Sequence, residues 1–123
     1  PELPPDFKKR LESAIILTGS KHRFECNIDG TKPFKIKWFK NGKEIEPELD
    51  KDLEIFSDEN QGMTSLTIKN PNENSNALFS CRAINEFGTA ETSAYLKVKR
   101  NLSILIILKY SIINSLNKNI YLR

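Results

Sequence analysis

The sequence predicts an all-β fold, a sandwich of packed sheets. Three observations carry that prediction. About eight short runs are separated by turn residues at spacings of roughly 8–12 residues. Cys26, Trp38 and Cys81 each fall on the apolar parity of a separate run, so all three point inward. The first hundred residues hold no convincing 3.6-residue apolar period and no internal repeat.

Residues 1–6 (PELPPD) read as an extended linker, because Pro fixes φ and pushes its predecessor to extended geometry. Phe7–Ser13 is the first predicted strand of a domain spanning 7–100. Ala14–Leu17, β-branched at Ile15 and Ile16, is a short second segment, and Thr18-Gly19-Ser20 is a turn. His22–Asp29 alternates, with Phe24, Cys26 and Ile28 on one face and Arg23, Glu25 and Asn27 on the other. Gly30–Pro33 breaks that strand. Lys35–Lys40 resumes the alternation with Ile36 and Trp38 inward. Asn41-Gly42 predicts a type I′ hairpin turn, which needs φ > 0 at both positions. A short strand follows around Glu44–Ile45, then a polar loop over Pro47–Asp52.

Leu53 and Ile55 share one face of the next strand. Met63–Ile68 is a strand with Leu66 and Ile68 inward, and Ala77–Asn85 one with Phe79, Cys81 and Ala83 inward. Asn85–Gly88 turns the chain, with Gly88 expected to supply a positive φ. Thr89–Lys99 closes the domain, with Ala90, Thr92, Ala94, Leu96 and Val98 on one parity. The expected core is Phe24, Ile36, Trp38, Leu66, Ile68, Phe79 and Leu96.

Charge narrows the function classes. The chain has 123 residues and a formal charge of +3. Residues 1–100 carry 16 basic and 16 acidic residues, so the excess is Lys109, Lys118 and Arg123. Nucleic-acid binding needs a clustered basic surface, and a neutral domain with interspersed signs offers none. Two Cys and one His fall short of a four-ligand zinc site. No nucleophile motif or Gly-rich phosphate loop accompanies His22, which reads as a solvent-facing residue. No cofactor is expected. The acidic stretch Glu44, Glu46, Glu48, Asp50, Asp52 and Glu54 reads as a solvated loop, and the basic run Lys35, Lys37, Lys40 and Lys43 as exposed surface. The first residues hold no apolar signal segment, and the missing Met marks the chain as a piece of something longer.

Four strings then carry a family resemblance: Phe24-Glu25-Cys26, Ile36-Lys37-Trp38-Phe39-Lys40-Asn41-Gly42, Ser65-Leu66-Thr67-Ile68, and Cys81-Arg82-Ala83-Ile84-Asn85-Glu86-Phe87-Gly88. Through them residues 6–99 resemble an immunoglobulin domain of the intermediate set, the kind strung in tandem in titin-like muscle proteins. The resemblance implies an immunoglobulin-like Greek-key β-sandwich, two packed antiparallel sheets with Trp38 packed against Cys26 and Cys81 between them. These two are a disulfide in an oxidising compartment or a buried thiol pair in a reducing one. The family's D-x-G-x-Y-x-C window reads here Ser75-Asn76-Ala77-Leu78-Phe79-Ser80-Cys81. Phe79 lacks the tyrosine-corner hydroxyl and Ser75 replaces the corner aspartate, so a corner weaker by about 1 kcal/mol is expected.

The resemblance implies a non-enzymatic structural and interaction module in the cytoplasm, in sarcomere or cytoskeleton, with a kinase domain elsewhere in the polypeptide as an option. Its partners would be neighbouring immunoglobulin or fibronectin-type domains and filament proteins. The alternative is a disulfide-bonded adhesion or receptor domain at the cell surface.

Residues 101–123 read as an apolar tail outside the domain, disordered or translated from AT-rich non-coding sequence. They hold six Ile, five Leu, four Asn and no acidic residue. Lys109 interrupts the apolar run well short of the ~20 residues of a membrane span. Ile104–Leu108 reads as an aggregation-prone β segment. Asn101-Leu102-Ser103 is a glycosylation sequon.

Overall fold

The computed structural model describes residues 2–100 and 102–121. Nine strands occur in chain order: β1 (Asp6–Lys9), β2 (Ala14–Leu17), β3 (His22–Asp29), β4 (Lys35–Lys40), β5 (Lys43–Glu44), β6 (Leu53–Asp58), β7 (Met63–Ile68), β8 (Ala77–Asn85) and β9 (Gly88–Lys99). One sheet has the order β1-β3-β7-β6 and the other β2-β9-β8-β4-β5. The non-consecutive neighbours are Greek-key crossovers, and the two sheets face each other as an immunoglobulin-like sandwich.

Period-two alternation explains the layers. In β3 every second residue from Phe24 is buried, and in β9 every second residue from Thr92. One polar set therefore faces water and one apolar set faces the opposing sheet. The shared core holds Phe24, Trp38, Leu66, Ile68, Phe79 and Leu96, with Ile36 half-buried against it. Phe7, Leu11, Phe34 and Ile45 belong to it as well.

The first predicted strand divides. β1 ends at Lys9 after a register shift between Phe7 and Lys9. The chain then crosses from one sheet to the other, plugging the gap with buried Leu11, whose amide donates to Thr92 Oγ1 at 3.2 Å. β2 then runs parallel to β9, the one parallel pairing between the described strands. A β-bulge is a common device for ending a strand's pairing and re-aiming the chain.

Residues 2–5 lie against the domain. The Leu3 amide donates to Thr31 Oγ1 at 2.8 Å, and the Thr31 amide donates back to Leu3 O at 3.1 Å. The tail also differs from expectation. Leu102–Tyr121 is a helix, α1, instead of a coil or a β segment. No Gly or Pro interrupts it, and its Leu and Ile recur at helical-neighbour spacings that support a helix locally. Side chains 106–118 of α1 are all exposed. Among the described residues no helix is long and apolar enough to cross a membrane. The sequon's Asn101 lies outside the described residues.

Candidate functional site

The inward cysteines and tryptophan meet between the sheets. Trp38 sits opposite Cys81 across β4 and β8, and Cys26 opposite Thr64 across β3 and β7. Cys26 and Cys81 are free thiols, 1% and 0% exposed. The Cys81 thiol is held far above its ordinary pKa, first by its hydrogen bond with Cys26 and then by burial. A thiol held neutral is a poor nucleophile, so Cys81 is unreactive, and both buried cysteines act as small apolar packing.

Thr64 completes this centre. Its hydroxyl accepts from Trp38 Nε1 at 2.8 Å, donates to Phe56 O at 3.0 Å, and shares a 2.8 Å bond with Ser57 Oγ. A hydroxyl has one proton and two lone pairs, so Thr64 is saturated. The signal was in the sequence: Thr64 has the same parity as Leu66 and Ile68 and therefore points inward. Phe39 was also missed. It lies on the outward parity of β4 yet is only 9% exposed, because the Arg82 guanidinium stacks 4.4 Å above its ring. Glu91 holds that guanidinium at 3.1 Å.

The turn residues divide. Asn41 and Gly42 have φ of 50° and 83°, the pair of positive values a type I′ turn requires. Asn41 Oδ1 also accepts from the Leu78 amide at 2.9 Å. Gly88 is a correction: it is absent from the positive-φ residues and opens β9 in extended backbone. A Cβ at Gly88 would stand 2.9 Å from Pro4 Cβ, so glycine serves close approach there. A Cβ at Gly30 would likewise stand 2.6 Å from Pro4 O.

Around that approach the structure forms a clamp on the incoming chain. Asn85 Nδ2 donates to Leu3 O and to Thr31 O, both at 2.9 Å, and Asn85 Oδ1 accepts from the Phe87 amide at 2.8 Å. One side chain thus ties the N-terminal segment, the loop after β3 and the β8–β9 turn together.

The other expected features have local roles. Phe79 is fully buried, its ring 5.5 Å from that of Phe24. Ser75 ends a 3-10 turn, Glu73–Ser75, and its hydroxyl accepts from the Asn72 amide while Asn72 Oδ1 accepts from Asn74 N. A capping box therefore occupies the corner that an aspartate and a tyrosine would otherwise hold. His22 is half-buried instead of solvent-facing, edge-on to Phe24 at 4.6 Å, and burial lowers its pKa below 6.5. In the acidic stretch, Glu44 pairs with Lys37 and Glu54 with Lys69, while Asp50 caps the Asp52 amide. The cleft beside Ile45, Leu49 and Leu53 holds about 190 Å³, below the ~300–1,000 Å³ of small-molecule sites.

A two-sheet sandwich with tryptophan packed on a cysteine pair defines an immunoglobulin-like domain. Residues 5–98 match the immunoglobulin I-set domain, and the chain belongs to that family. It is 35% identical over 97 residues to the titin homologue of Caenorhabditis elegans, covering 77% of this chain and, to the nearest percent, 0% of that protein. It is 33% identical over 96 residues to mouse (Mus musculus) myopalladin, covering 78% of this chain and 7% of that protein. The chain thus spans a small part of these relatives. Among solved structures, titin domains Z1Z2 in complex with telethonin match with a TM-score of 0.74 and 31% identity, over 82% of this chain and 50% of that one. The chain is a structural and interaction module homologous to the immunoglobulin domains of titin and myopalladin.

Proposed function

We propose that this module is one spacer in a longer cytoskeletal or sarcomeric protein, holding its neighbours at a set distance and angle while its exposed strands bind partners. The observation that carries this reading is the clamp: Asn85, Thr31 and Gly88 hold Leu3 and Pro4 against the sandwich. A chain entering under such restraint arrives along one direction, which suits a tandem array better than a freely jointed string. Neighbouring immunoglobulin domains are the expected partners, along with filament-associated proteins, by analogy with the titin–telethonin complex. The likeness to titin and myopalladin supports a reducing, cytoplasmic setting over the cell surface, one in which Cys26 and Cys81 stay thiols.

Two measurements test the reading. Antibodies to residues 2–100 should stain permeabilised muscle in a regular striated pattern, and native protein should titrate two thiols once denatured. Surface staining of intact cells, with no titratable thiol, would establish the adhesion-domain alternative instead.

A further inference from the structure

The two sheets end in four edge strands: β1 and β6 on one, β2 and β5 on the other. An edge presents unpaired backbone groups, and proteins blunt it with charge, proline, bulges or brevity. Three of these edges are protected in that way. β1 carries Lys8 and Lys9 and a register shift. β6 carries Glu54 and Asp58, and β5 is only Lys43 and Glu44. β2 is different. Ala14-Ile15-Ile16-Leu17 has no charge, no proline and an unbroken register with β9. Ile15 is 68% and Leu17 47% exposed.

The backbone of β2 is oriented for pairing. The Thr18 amide donates to Lys99 O at 2.8 Å, and alternation then turns the amides of Ile15 and Leu17 to the open side. In register beside them stand Lys97, opposite Ile15, and Lys99, opposite Leu17. Both are exposed, and neither belongs to an ion pair among the described residues. We infer that the β2 edge accepts an extended acidic segment of a partner protein as an added strand. Backbone bonds form at Ile15 and at the Leu17 amide, the Leu17 carbonyl already accepting from the Ser20 amide at 3.1 Å; apolar side chains of the segment cover Ile15 and Leu17, and its carboxylates meet Lys97 and Lys99. Strands sit about 4.8 Å apart, so the added strand lies roughly 10 Å from β9, a span that a lysine stem and a glutamate close between them. Charge selects this occupant over a second copy of the chain. Pairing β2 with β2 would set the Lys97 and Lys99 of two molecules on one face, where like charges repel. The inference rests on the interaction part of the function proposed above and narrows it to one edge and one chemistry.

The test is hydrogen exchange on the intact chain with a peptide of about ten residues alternating Glu and Val, compared with the same peptide carrying Lys for Glu. The Glu peptide should slow exchange at the Ile15 and Leu17 amides and leave β6 unchanged. The Lys peptide should bind at least ~10-fold more weakly, and raised salt should weaken the Glu peptide. Ile15→Lys should weaken the Glu peptide comparably. Lys97→Glu with Lys99→Glu, both on the surface, should keep the fold and reverse the peptide preference. Unchanged exchange at Ile15 and Leu17 under saturating peptide, or equal affinity for both peptides, would overturn the proposal. So would protection of β2 by self-association without peptide. Exchange at the Leu3 amide reads the clamp separately, so a protected Leu3 with an idle β2 would sink the edge proposal alone.

Discussion

Thr64 binds three partners with one hydroxyl, and its removal should be felt by all three. Thr64→Val keeps the shape but leaves the buried Trp38 N–H and the part-buried Phe56 O without this partner. Leaving a buried polar group unsatisfied costs about 1–3 kcal/mol, so the urea midpoint should fall by that equivalent with an unchanged m-value. A neutral result would mean the indole bond contributes nothing net. His22 gives a pH signature. Its folded pKa is depressed by burial, so the unfolded chain takes up a proton near 6.5 and the folded chain only at lower pH. The contribution is complete above 6.5 and is lost as pH falls through that value toward the folded pKa. Unfolding free energies measured on either side of 6.5 should show this decline, and His22→Gln should remove it.

Among the elements, the turns and strand ends decide how the module joins its neighbours. Gly88→Ala should push Pro4 outward, since its new Cβ would meet Pro4 Cβ at 2.9 Å. Hydrogen exchange at the Leu3 and Thr31 amides should then rise by about tenfold or more, while amides in β3 and β8 keep their protection. Unchanged exchange at Leu3 would show that the clamp does not depend on this approach. The strands themselves were legible because alternation is a local signal: β3, β4, β7 and β8 carry the bounds their parity predicts. Asn41-Gly42 was legible because positive φ is a property of residue type. Gly88 was misread for the complementary reason. A glycine looks the same in sequence whether it supplies a positive φ or makes room, and only the position of Pro4 distinguishes them. The Asn85 clamp escaped because its three partners are Leu3, Thr31 and Phe87, two of them distant in sequence.

At the scale of the whole molecule, the sandwich carries its own core. Side chains 106–118 are exposed, so a chain ending at Arg100 should melt within about 2 °C of the full chain. A fall of roughly 5 °C or more on calorimetry would show that α1 is part of the folded unit.

By itself the sequence determined the all-β class, the inward parity of Cys26, Trp38 and Cys81, and the strings that tie the chain to its family. Parity and turn chemistry depend on residues two to four positions apart, so they can be read along the chain. The tertiary structure decided the rest. It saturated Trp38 with Thr64, buried Phe39 under Arg82, tied Leu3 to Asn85 and left β2 as the one unprotected edge. Each of these depends on groups brought together across the sheets or between strand ends, where proximity comes from the Greek-key path and not from neighbouring positions in the chain.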